Sequence, residues 1–596
     1  MCGINGILRL RPDSPPIDQD ELLRTRDAMT PRGPDDAGAW ISPDGRIALA
    51  SRRLAILDLS PAGAQPMASP DGRYHLVMNG EIYNFPELRR ELEADGVAFR
   101  SHSDTEVVLT LLARDGAAAL SRLRGMFGLA FWDDREKRLL LSRDPLGIKP
   151  LYLSMENGCL RFASQVKALE AGGAVSRAVD PAGLAGFLLW GSVPEPFTIR
   201  SAIRPIPAGH FQLVEDGRTS APLPFGKPEI DPIDPLLAVE ESVAAHLISD
   251  VPVAVFLSAG LDSGLIAALA RRRLPEPPTT FTLRFDILEG TPQDEGPLAA
   301  EVARTLGTRH VERRVGRADF ADVWPAALAA MDQPSIDGFN TFVVSRAARE
   351  AGLKVVLSGL GGDELFGSYP SFRDVPAYGR AARRIGWLPG LPAVWPALAR
   401  LAAADRPKLA GLLRHGRTLP GAYFLRRGLF LPEELPAVLG REAAEEGLRR
   451  YDPVAATAAA GNDPSVRNGT PTGADAWLDV HVLETALYMR NQLLRDSDWA
   501  SMACSVELRV PLVDARLHGQ LAARGFEPAR GQGKAAFVRA AAPELPEALF
   551  DRPKTGFYIP VQEWLDPASA RLRAGDRSRH LALRVLEETG TWSPGQ

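Results

Sequence analysis

The sequence predicts two unlike halves: a β-rich N-terminal domain, then an α/β domain with a parallel sheet and a helical C-terminal part. Three observations predict this. Over the first ~200 residues, short alternating segments are separated by turn signals, as hairpins require. A proline-dense stretch, Ala221–Pro235, then interrupts regular structure, because proline fixes φ and removes a backbone donor. Beyond it, short continuous apolar runs alternate with helical patterns, as buried parallel strands with crossover helices do.

The elements follow in order. Arg46–Ala50 and Tyr74–Met78 read as strands behind the turns Pro43-Asp44-Gly45 and Pro70-Asp71-Gly72. Gly125–Trp132 and Arg138–Ser142 flank Asp133-Asp134 as a hairpin. After the prolines come a strand at Val253–Leu257, a helix at Leu265–Arg272, a strand at Thr280–Phe285 and a helix at Glu295–Leu306. Lys354–Leu357 is a further strand ending in a Gly-rich turn. From about Pro370 the chain is rich in Ala, Leu and Arg and reads as helical, with a flexible insertion at Gly461–Thr472. The expected boundaries are 2–215, a linker at 216–235, and 236–596.

Composition narrows the function. The 596 residues are 45% hydrophobic and 24% charged, with a net charge of −5. That balance suits a soluble globular protein and carries no strongly basic nucleic-acid footprint or polybasic membrane patch. No apolar run reaches the ~18 residues of a membrane span, and the start lacks a signal-peptide core. Cys2, Cys159 and Cys504 are odd in number and far apart, arguing against a disulfide framework or structural zinc. A cytoplasmic, reducing location is expected, and a homodimer is admitted.

Cys2 opens the chemical argument. Removal of Met1 would place a thiol and an α-amine on one residue, and that amine, with an unperturbed pKa of ~7.7–8.0, can serve as the thiol's own base. Asn79-Gly80-Glu81, placed at the end of the Tyr74–Met78 strand, offers a side-chain amide and a glycine N–H, the ingredients of an oxyanion hole. Arg53 can grip a carboxylate bidentately, while Glu81 and Asp104 can hold an ammonium. Together they describe a pocket for a zwitterionic amino acid with a side-chain amide, a glutamine site.

The segments MCGINGIL, RGPDDAG, RRLAILDLSPAGAQPM, VMNGEIYNF, SDTEV, RGMFGLAFWD and RDPLGIKPLY resemble, in order, the glutaminase domain of glutamine-hydrolysing asparagine synthetases. The resemblance implies an N-terminal-nucleophile (Ntn) hydrolase fold, two antiparallel sheets between helices. It implies Cys2 as nucleophile, Arg53 on the glutamine carboxylate, Asn79 and Gly80 as the oxyanion hole, and Glu81 and Asp104 on the ammonium. Ser51 stands where many relatives have histidine and Gln165 where glutamate is usual; neither is expected to touch the chemistry directly.

A second constellation lies at two strand ends. Ser258-Ala259-Gly260-Leu261-Asp262-Ser263 follows the Val253–Leu257 strand and opens a helix. Its small residues and free helix N–H groups suit a phosphate, and Asp262 implies Mg2+ between carboxylate and phosphate. Ser358-Gly359-Leu360-Gly361-Gly362-Asp363-Glu364 is a matching turn. Adjacent in one parallel sheet, the two would meet at its C-terminal edge, with Asp262 and Asp363 sharing a magnesium-pyrophosphate unit. Lys554, in RPKTGF, supplies a cation for charge on the phosphoryl leaving group.

LSAGLDS, FTLRF, QDE, LGTRH, VVLSGLGGDELFG, MACSVELRVPLVD and RPKTGF are similar to the ATP-pyrophosphatase (HUP-like) synthetase domain of the same family. The resemblance implies that Leu257 and Leu283 contact adenine and ribose, Ser258, Gly260, Asp262 and Ser263 the pyrophosphate, and Ser358 and Gly359 also ATP. It implies Asp262 and Asp363 as metal ligands. Its reaction is a ligation: glutamine, ATP and aspartate give asparagine, glutamate, AMP and pyrophosphate, with ammonia passing through a sheltered tunnel. Three departures stand out. Ala259 replaces a glycine, Asp498-Trp499-Ala500-Ser501-Met502 replaces an Asp-Arg-Met-Ser-Met string, and Leu360 replaces an acidic residue tied to the aspartyl-adenylate. Leu360 keeps open another carboxylate acceptor: a sugar acid, peptide or secondary metabolite. A β-lactam-synthetase-like cyclase needs no glutaminase, so the complete Cys2 set opposes it. A non-catalytic protein on the same scaffold is opposed by Cys2, Asp262, Asp363 and Lys554.

Overall fold

The computed structural model describes residues 2–226, 232–387, 391–402, 407–463, 466, 467, 472–526, 530, 533–552, 564 and 574–592. Among these the first half holds β1 (Cys2–Arg9), β2 (Asp36–Ile41), β3 (Ile47–Arg53), β4 (Met67–Ala68), β5 (Tyr74–Ile82), β6 (Gly125–Asp133), β7 (Arg138–Arg143), β8 (Tyr152–Glu156), β9 (Cys159–Ala163), β10 (Ile203–Pro205), β11 (His210–Glu215), β12 (Arg218–Thr219) and β13 (Leu223–Pro224). They form two antiparallel sheets, ordered β10-β8-β9-β1-β3-β2 and β12-β11-β7-β6-β5-β4, with β13 also on β11.

Period-2 alternation decides which side chains face which layer. Ile4 and Leu8 of β1 and Ile47 and Leu49 of β3 meet Val77, Ala130, Trp132, Leu139 and Leu141 of the other sheet in one core. Their neighbours point outward. Ile7, Ala48 and Ala50 pack on Leu22 of the helix Gln19–Asp27, while Leu76, Met78 and Leu129 pack on the helix Asp104–Asp115. Two sheets between helices result, as expected.

The second half carries β14 (Val253–Phe256), β15 (Thr279–Phe285), β16 (Arg309–Val315), β17 (Val355–Leu357) and β18 (Glu507–Arg509). All pairings are parallel, in the order β16-β15-β14-β17-β18. β14 and β17 are neighbours, so the two Gly-rich turns leave the sheet side by side. Beyond β17 the described chain is helical apart from β18.

Three expectations need correction. Asn79, Gly80 and Glu81 do not follow a strand: β5 continues to Ile82, and they pair with Gly128, Phe127 and Met126 of β6. Gly80 permits this, since a Cβ there would lie 2.0 Å from Met126 O. The proline-dense stretch does carry strand, since β13 pairs with β11, and β12 just before it also pairs with β11, so the first sheet runs past residue 216 into the expected linker. Pro224 is tolerated in that short edge strand, and Pro235 opens a helix behind the Asp234 N-cap. β16 and β18 are absent from the sequence-based expectation, because RHVERRV is a largely exposed edge strand without an apolar run and ELR is three residues long.

The halves are joined by buried polar contacts. Arg32 Nη1 lies 2.7 Å from Asp498 Oδ2, both side chains nearly inaccessible, and Lys149 Nζ is 3.4 Å from Asp498 Oδ1. Burial alone would raise the Asp498 carboxyl; the Arg32 and Lys149 charges outweigh it and hold it low. Arg124 pairs with Asp514 at 2.6 Å. The buried Asp332 carboxylate accepts the first N–H groups of the helix Val166–Gly172, from Val166 at 3.2 Å and Lys167 at 3.0 Å. That helix follows Gln165, whose side chain makes no capping bond, so a carboxylate from the second half does the capping.

Candidate active sites

Cys2, Arg53, Asn79 and Glu81 share the parity of the inward-facing residues of their strands, so the alternation that builds the core also aims them between the sheets. Cys2 stands opposite Arg53 in the β1–β3 register and is 4% exposed. Its backbone nitrogen donates to Asn79 Oδ1 at 3.1 Å. This nitrogen becomes the α-amine once Met1 is removed. Asn79 Nδ2 is buried and has no hydrogen-bond partner among the described residues, leaving a donor beside the thiol. Burial pushes the Cys2 thiol up, against the pull of Arg53.

Arg53 is anchored by carbonyls: Nη1 donates to Ser60 O at 3.2 Å, and Nη2 to Leu57 O at 3.2 Å and to Asp58 O. Gly63 makes room, because a Cβ there would lie 2.2 Å from Arg53 Nη2. Asp104 opens its helix and accepts from Ile82 N at 2.9 Å, which ties it to the end of β5. Glu81 and Asp104 are both buried, and burial raises both carboxyls. Glu507 and Asp104 add repulsion at Glu81, an arrangement that an arriving ammonium would relieve.

Gln65 is a neighbour of Cys2 that sequence reasoning missed. Its Nε2 lies 3.8 Å from Cys2 Sγ, and its Oε1 accepts from Met78 N at 2.7 Å. The Ser51 hydroxyl donates to Gln65 O at 2.7 Å, so one residue links Ser51 to Cys2. Gln65 lies within RRLAILDLSPAGAQPM, but nothing local marks an uncharged amide as special.

At the edge of the parallel sheet, Ser258 Oγ and Ser263 Oγ are 2.9 Å apart, and Ser263 Oγ is close to the Ser258 and Gly260 carbonyls. Gly260 is the N-cap of the helix Leu261–Arg273 and offers no side chain to its first N–H groups. Leu257 is buried just past the end of β14, and Leu283 is buried within β15, two residues before its end. The second turn closes on the first through glycine: a Cβ at Gly359 would lie 2.8 Å from Asp262 Cβ, and one at Gly362 would lie 2.2 Å from Asp262 Oδ1. Ser358 N donates to Arg509 O at 2.9 Å.

Lys534 also escaped the sequence reading. Its ammonium donates to Asp363 Oδ1 at 2.7 Å and to Asp262 Oδ2, joining the two expected metal ligands. Burial would lower its pKa, yet the two carboxylates hold it raised. A lone lysine in GQGK gives no sequence signal. Asp262 and Asp363 thus converge in a glycine-walled cradle of hard oxygen donors, which fits Mg2+ held by two carboxylates and substrate phosphates. Glu295 lies against the same loop, where its carboxyl accepts from the Ala259 backbone; burial pushes it up to about 7, with Arg552 3.8 Å away opposing. Lys554 lies outside the described residues.

Comparison with known proteins matches the family described as Glutamine amidotransferase domain over residues 1–224 and the family described as Asparagine synthase over residues 236–587. Asparagine synthetase [glutamine-hydrolyzing] 1 of Bacillus subtilis is 31% identical over 589 residues, covering 95% of this chain and 88% of its own length. The chain belongs to the asparagine synthetase family. A putative asparagine synthetase [glutamine-hydrolyzing] of Mycobacterium bovis is 32% identical over 580 residues, with 91% and 84% coverage. Asparagine synthetase B [glutamine-hydrolyzing] of Escherichia coli is 34% identical over 397 residues, covering 63% of this chain and 66% of its own length.

Within this asparagine synthetase family framework the departures acquire places. Leu360 is partly buried against the synthetase core, and its N–H donates to Ser358 Oγ at 3.3 Å. Trp499 is buried, its Nε1 donating to Asp496 Oδ1 at 2.8 Å. Gly338 accommodates the indole, since a Cβ would lie 2.6 Å from Trp499 Cζ2. Among the described residues no helix is long and apolar enough to cross a membrane.

Proposed function

We propose that this chain makes asparagine: it hydrolyses glutamine at Cys2 and delivers ammonia to an aspartyl-adenylate formed from aspartate and ATP. The observation that carries the reading is the pairing, in one polypeptide, of a thiol beside a spare Asn79 amide donor with a two-aspartate cradle at the edge of a parallel sheet. The comparisons favour aspartate over another acceptor carboxylate.

In the first half, the α-amine of Cys2 takes the thiol proton as Sγ attacks the glutamine side-chain carbonyl. Asn79 Nδ2 and the Gly80 N–H stabilise the oxyanion. Arg53 holds the substrate carboxylate, and Glu81 and Asp104 its ammonium. Ammonia leaves, and water releases glutamate from the thioester.

In the second half, Leu257 and Leu283 seat the nucleoside, and Ser258, Gly260, Ser263, Ser358 and Gly359 line the phosphates. Asp262 and Asp363 would hold Mg2+, which offsets phosphate charge. Lys534 and Lys554 supply further positive charge as the aspartate carboxylate attacks the α-phosphorus and pyrophosphate departs. Ammonia then displaces AMP. Passage inside the molecule keeps the ammonia from protonation in bulk water, and the buried junction between the halves supports such a route.

The reading includes a glutaminase domain, a short connection and a synthetase domain, a cytoplasmic location and a homodimer. The free cysteines accord with a reducing compartment; light scattering tests the dimer. The central test is an assay with Mg-ATP, glutamine and a panel of carboxylates. Equimolar AMP, pyrophosphate, glutamate and asparagine with aspartate is expected; AMP formed only with another carboxylate overturns the acceptor.

A further inference from the structure

We propose that Arg509, a residue of the second half, is a positioning residue for the glutamine pocket: its guanidinium edge presents a fixed positive charge to Glu81, the expected ammonium-binding carboxylate, while its backbone anchors the ATP loop. The inference rests on the glutamine reading above and extends it across the domain boundary.

Arg509 ends β18 and stands beside Leu357 in the β17–β18 register. Its carbonyl accepts from Ser358 N, the first residue of the Ser358–Glu364 turn, at 2.9 Å. Its side chain is fully buried and runs the other way, into the domain junction. Nη1 donates to His246 O at 2.8 Å and to Ile248 O at 2.6 Å, and Nε donates to Glu507. Nη2 is buried, makes no hydrogen bond among the described residues, and lies 3.9 Å from Glu81 Oε2. That is ion-pair range but too long for a hydrogen bond. Three bonds therefore fix the guanidinium and leave one N–H edge directed at the glutamine pocket.

The charges around Glu81 show why a cation is needed there. Asp104 faces it from the helix Asp104–Asp115, Glu507 from β18, and the Tyr83 phenol from the end of its own strand. Against them stand Arg509 and the chain-terminal amine. Lys149 serves Glu507 and Asp498. Burial and the two acidic neighbours push the Glu81 carboxyl up, and Arg509 counters them. Without Arg509, Glu81 would stay protonated to higher pH and lose its attraction for an ammonium.

The test is steady-state glutaminase kinetics of R509K and R509M, with E507Q as the control of opposite sign, since Glu507 repels the Glu81 charge and its removal should move the acid limb to lower pH. For R509M we expect the KM for glutamine to rise about 10-fold or more at pH 7 with kcat within about threefold. The acid limb of kcat/KM should move to higher pH, and R509K should recover most of the loss. Unchanged KM with an unmoved acid limb overturns the proposal. So does an equal fall in kcat with no change in KM, the mark of a general structural defect. A wild-type protein without glutaminase activity would instead overturn the glutamine pocket itself, and Arg509 with it.

Discussion

The proposed glutamine pocket and the proposed ATP cradle are built on opposite plans. In the first, Cys2, Arg53, Asn79 and Glu81 sit within hydrogen-bonded strands, so register sets their spacing before any ligand arrives. In the second, Ser258, Asp262, Ser358 and Asp363 occupy turns and first helical residues just beyond strand ends, and the gap between the aspartates is closed by Lys534. A pocket built on strands is preorganised for a small zwitterion. A cradle built on glycine turns can accept phosphates and a cation where an ammonium now sits.

The largest effect that would test this contrast belongs to the proposed nucleophile. Cys2→Ala keeps the α-amine and the strand but removes sulfur, so glutamine-dependent asparagine formation should fall by more than about 1000-fold. Ammonium-dependent formation should persist within about threefold; loss of both, measured with ammonium chloride, would contradict independent halves. Asn79→Ala comes next. Removing one oxyanion donor costs about 100- to 1000-fold in kcat, and because Asn79 also accepts from the Cys2 nitrogen, the loss should lie at the upper end. A KM effect with intact kcat would move Asn79 out of the oxyanion role.

Lys534→Met should lower pyrophosphate release by about 100-fold, the scale of one cation aimed at developing phosphoryl charge. It should also leave Asp262 and Asp363 facing each other with their bridge removed. The variant should therefore need less Mg2+ for half-maximal rate, since no ammonium competes for the two carboxylates, read by titrating the metal at fixed ATP, while glutaminase activity stays near normal. A glutaminase loss of equal size would show the two plans to be one machine.

Legibility in the sequence follows the same division. Strand-borne groups are visible because period-2 alternation carries Cys2, Arg53, Asn79 and Glu81 with the core residues Ile4, Ile47 and Val77. The adjacency of the two Gly-rich turns follows from a parallel sheet with β14 and β17 side by side. What escapes is supplied from far along the chain. Lys534 reaches Asp262 across 272 positions, and Asp332 caps the helix Val166–Gly172 from the other half. Local pattern carries no signal for such partners. Neither does it separate strand from turn at Asn79-Gly80-Glu81, where a glycine and an asparagine lie inside β5 because Gly80 lets Met126 O approach.

The smallest effect discriminates most finely between a pocket held by register and one held by side chains. Ser51 lies on β3 opposite Ile4 and Gly38, and its hydroxyl donates to Gln65 O at 2.7 Å. Gln65 in turn reaches Cys2 Sγ with Nε2 and Met78 N with Oε1. If the strands alone fix the pocket, Ser51→Ala changes little beyond one buried hydrogen bond, a stability loss of about 1 kcal/mol. If the side-chain path matters, Gln65 shifts and the thiol loses its neighbour. Gln65 Oε1 keeps its bond to Met78 N in either case, so we expect the first outcome: glutaminase kcat within about twofold and a thermal midpoint a few degrees lower at most. A tenfold fall in kcat at unchanged stability would assign Ser51 a share in placing the nucleophile that strand register does not supply.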